Sequence, residues 1–415
     1  MNFILKFSFQ KYQGMEFKEI EGKELMRVVH MEQLVDVLLM PSIKVSDPKL
    51  LETMFLTLPY YSKAHVLLEK LSKKYLFLLE DEESKWKGKW RNNLLNTIVQ
   101  WINHPRWLHP SHLTSKFLKV WKTMYKEAKK VGKKAKLPKS EERALDSINL
   151  ILAEKQKKEK AKEKFATTSP SSSFSLLAWD ESLFAQQLTV FDHKLFASIP
   201  AYEFMNIHFT EPAKSPYYTK MITHFNNLGF WVGTEIVSRK NFQERVNVLA
   251  HIIKIADKCA SLQNFHSAYG LVCGLNMPCI GRLKMSWRKI PKKVISKYER
   301  LMELFDLSKN YANYRGTALM CKGPAIPLMS VASKDLFGID ENNKTFVSES
   351  VVNVEKMRLV EKIVGKIVEY QESKYSFTRV DEVSSYLERL PFKPEKEIQK
   401  ESIKCEARAS VVSNK

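Results

Sequence analysis

Residues 324–371 decide the fold of this chain, and they read PAIPLMSVASKDLFGIDENNKTFVSESVVNVEKMRLVEKIVGKIVEYQ. Pro324 and Pro327 restrict the backbone at the start, because each proline fixes φ and lacks an amide donor. The following apolar segment ends in the bulky Phe337 beside two carboxylates, and the asparagines at 342–343 favour a turn. After the turn, apolar residues recur at helical spacing, at Val354, Met357, Val360, Val364 and Ile367. The stretch therefore predicts two helices joined by a loop, which is also the pattern of an ordinary antiparallel helix pair.

The composition indicates a mostly α-helical protein of more than one domain. A length of 415 residues is enough for two or three domains. Glycine (13) and proline (16) are sparse, and 44% of the residues are hydrophobic, so sizeable cores can form. Long amphipathic segments dominate both halves of the chain.

The chain lacks the usual signals for export or membrane insertion. No apolar run approaches the ~18 residues of a membrane-spanning helix, and the opening MNFILKFSFQ has no small-residue cleavage site. The five cysteines form no CxxC pair, which favours a reducing compartment over a disulfide framework. The sequence predicts a cytoplasmic location.

The formal net charge is +21, and much of it lies in residues 126–164, where fourteen Lys and Arg face seven Asp and Glu. Such a surplus suits a nucleic acid or an anionic membrane. No zinc-finger, homeodomain or RNP-type aromatic pattern accompanies the charge, which argues against specific nucleic-acid binding. A weak attraction to an anionic membrane surface is the favoured interpretation of this basic segment.

Shifts in composition predict four regions. Residues 25–125 form a helical module, and 126–175 form a linker, whose first, basic part has a composition compatible with a helix and whose second part is a flexible spacer rich in Ser and Thr. Residues 176–393 are again rich in aliphatic and aromatic side chains and predict a second, larger domain. The charged segment 394–415 has few large apolar residues, which predicts a disordered tail.

No motif for covalent chemistry is present in the sequence. It contains no GxxxxGK[ST] phosphate loop, GxSxG elbow, HExxH pair or GxGxxG loop. His104, His109 and His112 share a turn without a cysteine or carboxylate to complete a metal site, so they are interpreted as loop histidines. We expect neither covalent catalysis nor a cofactor or metal.

The second half resembles the catalytic domain of Ras-family guanine-nucleotide exchange factors, the Cdc25-homology domain. The resemblance rests on ordered blocks spread over about 215 residues: FAQQLTVFDHKLFASIPAYEFM (184–205), SPYYTKMITHFNNLGFWVGTEIV (215–237), LQNFHSAYGLVCGLNMPCIGRLKMSW (262–287), SKNYANYR (308–315) and PAIP (324–327). The module at 25–125 resembles the Ras-exchanger motif that usually precedes this domain, although LTLPYY (56–61) departs from that pattern.

This resemblance implies an all-α fold, with an N-terminal helical module and a larger α-helical catalytic domain from which a helical hairpin protrudes. It places Phe337 at the family's apolar wedge position and Glu341 at its phosphate-mimicking acidic position. Asp340 and Asn343 fall in the same turn. Phe337 is bulkier than the residues common at that position, and Gly338 departs from the family by adding flexibility.

The resemblance also implies a surface that grips the GTPase's switch II, formed by Arg282, Ile280, Asn310, Tyr311 and Tyr314. For Ile280 and Tyr314 an alternative stays open, because both residues are equally suited to the hydrophobic core.

The implied function is exchange on a Ras-like small GTPase: the chain would bind the nucleotide-free state, promote GDP release and permit GTP loading. An alternative is an exchange-inactive scaffold that keeps the fold and still binds a small GTPase. A basic helical nucleic-acid-binding protein is a third possibility, which would show steeply salt-dependent binding.

Overall fold

The computed structural model describes residues 15–20, 23–39, 47–79, 85–104, 107–108, 112–135, 137–160 and 175–407. Its helices and strands are, in chain order, β1 (Glu16–Ile20), β2 (Lys23–His30), α1 (Leu34–Leu39), α2 (Leu50–Leu56), α3 (Leu58–Tyr61), α4 (Ala64–Leu79), α5 (Lys85–Asn103), α6 (Ser115–Ala135), α7 (Lys139–Lys160), α8 (Glu181–Ala197), α9 (Pro216–Ser238), α10 (Phe242–Ser261), α11 (Phe265–Leu275), α12 (Pro278–Gly281), α13 (Lys284–Arg288), α14 (Lys292–Leu304), α15 (Ala312–Leu319), α16 (Met329–Asn342), β3 (Phe346–Ser348), β4 (Val351–Asn353), α17 (Val354–Glu372), α18 (Asp381–Arg389) and α19 (Glu395–Cys405). Short 3₁₀ segments lie at Leu176–Ala178, Ala201–Thr210 and Ser308–Asn310. The predicted mainly helical fold is confirmed.

The chain divides into two compact units. The first consists of Met1–Phe165, Pro200–His208 and Asp335–Lys366, and the second consists of Ala166–Ile199, Phe209–Lys334 and Ile367–Lys415. The end of α16, the loop after it and most of α17 therefore group with the N-terminal module, although they are distant from it in sequence.

A small sheet in the first unit is a feature that the sequence analysis did not predict. Its strand order is β1-β2-β4-β3, and every neighbouring pair is antiparallel. The central pairing joins Val28 to Asn353 and Val29 to Val352. This sheet connects the N-terminal module directly to the loop between α16 and α17.

The helices of the first unit pack around an aromatic core. In α4 the apolar side chains recur at helical spacing, and Leu67, Leu71 and Tyr75 are fully buried. The rings of Phe55 and Trp101 stack with centroids 5.3 Å apart. Helix α6 packs against α4, and α7 packs against α5.

The structure corrects the predicted start of the linker, because α7 occupies much of it. This helix buries Leu145, Ile148 and Leu152. Its Glu141 is fully buried, accepts a hydrogen bond from Tyr75 Oη at 3.1 Å and pairs with Arg91 Nε at 3.0 Å. Residues up to Lys160 therefore belong to the helical module, and 161–174 lie outside the described residues.

The second unit has a core formed mainly by α8, α9, α10 and α11. Its buried side chains include Phe184, Trp231, Leu249, Ile253 and Leu271. Helices α9 and α11 approach so closely that a Cβ at Gly274 would lie 2.6 Å from Val232 Cβ. Only glycine fits at this crossing without a shift of the backbone.

The structure also corrects the prediction of a disordered tail over 394–415. Residues Glu395–Cys405 form α19, and residues 408–415 lie outside the described part of the chain. Ile398 and Ser402 of α19 are fully buried, which explains why this charged segment is helical. Only one large apolar side chain is needed to anchor its inner face, so composition alone did not reveal it.

Among the described helices, none combines the length and apolarity required to cross a bilayer. The described residues also contain no group of three or more His, Cys, Asp or Glu side chains able to hold a metal ion. Of the three loop histidines, His104 and His112 are described, and His109 lies outside the described residues.

Candidate functional site

The end of α16 presents an apolar and an acidic side chain together. Phe337 exposes 45% of its surface and Glu341 is exposed. Residues four apart lie on the same face of an α-helix, one turn from each other. The two side chains therefore point from one helical face and are available to a partner.

Asp340 has a different environment from Glu341. Its carboxylate pairs at 2.8 Å with Nζ of Lys356, whose side chain is only 3% exposed. The same ammonium group donates to Thr345 Oγ1 at 3.1 Å and lies 5.1 Å from the centroid of the Tyr60 ring. We call α16, the following loop and α17 the hairpin. Asp340 thus pairs with a buried charge and fixes this hairpin, rather than offering a free carboxylate.

Two asparagines close the end of α16. The Nδ2 atoms of Asn342 and Asn343 donate to the carbonyl oxygens of Gly338 and Ile339, at 2.7 and 3.0 Å. The Asn343 backbone N–H also donates to the Ile339 carbonyl, at 3.1 Å. Asn343, which was predicted to lie in the turn, therefore helps to satisfy the last carbonyl groups of the helix.

Charged pairs hold α17 to the N-terminal part of the first unit. Arg358 binds the carboxylate of Asp47, which is 3% exposed and also accepts the Met26 backbone N–H at 3.4 Å. Nearer the surface, Arg27 Nε lies 3.3 Å from Glu355. Together with the pairing of β2 and β4, these contacts support the hairpin from its N-terminal side.

Gly338 lies inside α16, between the exposed Phe337 and Asp340. A Cβ at this position would meet nothing within 4 Å. The flexibility that this glycine adds is therefore not required by close packing.

We expect Gly338→Ala to raise the free energy of unfolding by about 0.5–1 kcal/mol, because alanine loses less backbone entropy in a helix. Thermal or urea unfolding of the variant measures this. Gly274→Ala is the matched control, since its Cβ would lie 2.6 Å from Val232 Cβ and should destabilise the chain. A loss of stability in Gly338→Ala would show that the helix end is strained by a side chain there.

In the second unit, Ile280 and Tyr314 belong to the core. Ile280 is 0% exposed and Tyr314 is 4% exposed. The Tyr314 hydroxyl accepts the Leu328 backbone N–H at 2.8 Å, and burial raises the pKa of this tyrosine. The burial of both residues in the free chain thus favours the core alternative.

Asn310 and Tyr311 lie in an unusual turn. Lys309, Asn310 and Tyr311 have φ values of 49, 57 and 60° in succession. A left-handed backbone costs roughly 1–2 kcal/mol for each residue with a Cβ. The turn is held by Arg315 Nε, which donates to the Asn310 carbonyl at 2.8 Å, and by Lys334 Nζ, which donates to Asn310 Oδ1 at 3.0 Å. Strained turns held in this way cluster at binding sites.

Arg282 is half-buried after α12. Its Nη1 donates to the Ser402 carbonyl oxygen at 2.8 Å and to Ser402 Oγ at 3.2 Å. The guanidinium is therefore bound on one side to α19.

Sequence reasoning missed Asp47, Lys356, Arg358 and Ser402 as supporting residues. A buried acid in the loop before α2 and a buried lysine on an amphipathic helix have no distinctive spacing. Each is recognisable only by a partner that is remote in sequence.

Comparison with protein families identifies the second half of the chain. The model of the RasGEF domain matches residues 183–358. Residues 183–358 are therefore similar to the RasGEF domain. The match includes α16 with Phe337 and Glu341, ends within α17, and excludes the N-terminal module and α19. The Ras-exchanger motif in the N-terminal module remains a prediction.

Curated relatives of the RasGEF domain carry matching names. Ras guanine nucleotide exchange factor D of Dictyostelium discoideum is 36% identical over 209 residues, which are 50% of this chain and 31% of that protein. Ras guanine nucleotide exchange factor Q of the same organism is 32% identical over 228 residues, covering 54% of this chain and 18% of the relative. Ras-specific guanine nucleotide-releasing factor 2 of Mus musculus is 30% identical over 206 residues, which are 49% of this chain and 17% of that protein. The chain thus spans less than a third of the length of these relatives.

Proposed function

We propose that this chain is a guanine-nucleotide exchange factor for a Ras-like small GTPase, which acts by releasing nucleotide without covalent chemistry. The observation that carries the proposal is the exposed pair Phe337 and Glu341 on one face of a braced helix, inside the RasGEF match. The names of the curated relatives support the same activity.

The physical basis of the proposal is linkage. A Ras-type GTPase holds its nucleotide through phosphate contacts and a bound Mg²⁺. A partner that prefers the nucleotide-free state must weaken nucleotide binding by the same factor, because coupling between two ligands is reciprocal. Phe337 is suited to fill and dehydrate the Mg²⁺ position, and the Glu341 carboxylate is suited to occupy the phosphate site.

The support of the hairpin matters to this mechanism. A wedge that moved on binding would lose part of its interaction energy to ordering. The pairing of β2 with β4, the Asp47–Arg358 pair and the buried Lys356–Asp340 pair restrict the hairpin before any partner binds.

The decisive experiment mixes the chain with Ras, Rap and Ral proteins loaded with fluorescent GDP and excess unlabelled GTP. Accelerated loss of fluorescence with one of them supports exchange and identifies the substrate. Binding to a nucleotide-free GTPase without faster release would instead favour the exchange-inactive scaffold. Failure to bind or accelerate any of them would overturn the proposal.

The basic segment predicted to attract an anionic membrane, residues 126–164, begins within α6, and the exposed lysines of this helix extend beyond it to Lys119 and Lys122. This helix buries Phe117, Trp121, Met124 and Ala128. Four exposed lysines lie on the opposite side at helical spacing: Lys119, Lys122, Lys126 and Lys130. Within the described residues none of these four forms a salt bridge, and three of them line a shallow depression with Ser115, Leu118 and Thr123.

We propose that this lysine row attracts an anionic membrane surface, at which the chain would be recruited from the cytoplasm. Each lysine near such a surface contributes about 1 kcal/mol of attraction.

The triple variant Lys119→Gln, Lys122→Gln, Lys126→Gln should lose most of its binding to vesicles that contain phosphatidylserine. The interaction of the unaltered chain should also weaken as salt rises, because exposed charges are screened. Sedimentation with vesicles measures both effects. The control is Lys258→Gln, Lys322→Gln, Lys374→Gln, which removes the same charge from scattered exposed positions. Equal losses in both variants would mean that only net charge matters, and no binding at low salt would discard the membrane role.

A further inference from the structure

Helix α19 lies outside the RasGEF match and contacts one of the residues expected to grip the GTPase. It packs on α9 and α12, with Ile398 so close to α9 that a Cβ at Gly233 would lie 3.1 Å from its side chain. Ser402, one turn further along, is fully buried and its hydroxyl donates to the Cys279 carbonyl oxygen. The helix is therefore docked through its inner face.

A second set of contacts holds the end of α19 to the segment after Arg282. The Glu406 carboxylate accepts the backbone N–H groups of Met285 and Ser286 at 3.0 and 2.9 Å, and the Ser286 hydroxyl at 2.7 Å. Arg245, which is 2% exposed, donates from Nε to Ser286 Oγ at 3.0 Å. The orientation of residues 282–286 is thus fixed jointly with α19.

The guanidinium of Arg282 is only partly used by these contacts. Its Nη1 donates twice to Ser402, whereas Nε and Nη2 have no hydrogen-bond partner within the described residues. Because guanidinium is planar, binding one nitrogen to a buried residue fixes the direction of the other two. Nε and Nη2 form the edge that binds a carboxylate with two parallel hydrogen bonds.

We infer that α19 is a positioning element for the exchange reaction: through Ser402 it orients Arg282 so that the free guanidinium edge binds an acidic side chain of the GTPase. The inference rests on the proposed exchange function. It assigns a role to a segment beyond the RasGEF match and predicts the chemistry of one contact on the partner. Ser402 acts through Arg282 and does not itself touch the partner.

The test is a double-mutant cycle within this chain. The exchange kinetics of each variant are measured with the GTPase that responds in the fluorescence assay. Arg282→Ala should raise the KM for the GTPase about 10- to 100-fold, the range of a charge-assisted pair, with little change in kcat. Arg282→Lys should not restore KM, since an ammonium group lacks the planar fork. Ile398→Ala, which loosens the docking of α19, should raise KM roughly tenfold when Arg282 is present and less than twofold in Arg282→Ala. Ser402→Ala should also raise KM for the GTPase, as Ile398→Ala does.

Glu401→Gln is the matched control on the same helix. Glu401 pairs with the exposed Lys240 and does not contact Arg282 in the structure, so KM should be unchanged. An equal rise in KM from Ile398→Ala with and without Arg282 would overturn the inference, because a purely structural role of α19 gives additive effects. The inference would also be overturned if the unaltered chain exchanges normally and Arg282→Ala leaves KM for the GTPase unchanged. A lack of exchange by the unaltered chain would instead contradict the proposed function itself.

Discussion

Phe337→Ala is expected to slow GDP release about 10- to 100-fold while leaving the melting temperature nearly unchanged. Burying an aromatic side chain completely in the complex is worth ~1.5–3 kcal/mol, which corresponds to that range of affinity. In the free chain Phe337 is 45% exposed, so its removal creates no closed cavity. Fluorescent GDP release and thermal unfolding of the same preparation measure the two quantities.

Glu341→Ala should produce a similar loss, because a charge-assisted hydrogen bond contributes roughly 1.5–3 kcal/mol. Its exposure again predicts little effect on folding. Leu359→Ala is a suitable control, since Leu359 is 44% exposed on α17 and lies in the same unit. It should change neither exchange nor stability. If Phe337→Ala melts early and exchanges normally per folded molecule, the wedge assignment is wrong.

Asp47→Ala is expected to lower the free energy of unfolding by about 3–5 kcal/mol, because it leaves Arg358 without its partner in a mostly buried pair. Asp47 is 3% exposed and the Arg358 side chain 22% exposed. Since the pair connects the N-terminal part of the first unit to α17, we also expect slower exchange at temperatures at which the variant is still folded. Urea unfolding and GDP release measure these effects.

The matched control for Asp47→Ala is Arg27→Ala. Arg27 and Glu355 also join the N-terminal strand region to α17, but their side chains are 44% and 43% exposed. An exposed pair contributes about 0–1 kcal/mol, so this variant should remain close to the unaltered chain in stability. If Asp47→Ala loses stability but its folded fraction exchanges at the normal rate, the bracing contacts are structural only.

The sequence alone was sufficient to predict the helical class and the two helices of residues 324–371. Both follow from local information. The buried face of a helix appears in the sequence as apolar residues three or four apart, and Asn342 and Asn343 indicate the end of the first of the two helices. The RasGEF family was also recognisable from ordered blocks, which the family match confirms over residues 183–358. The positions of Phe337 and Glu341 on one helical face followed from their spacing.

Only the tertiary structure shows which distant residues the helices, strands and charged side chains contact. Strand β2 pairs with β4, and Asp47 pairs with Arg358 across 311 residues of sequence. Short strands and single charges have no periodicity that would indicate such partners. The same holds for Ile280 and Tyr314, whose burial depends on neighbouring helices, and for α19, which one buried isoleucine anchors. Local sequence determines which side of a helix is apolar, whereas burial and pairing depend on long-range contacts that become favourable only when the whole chain has folded.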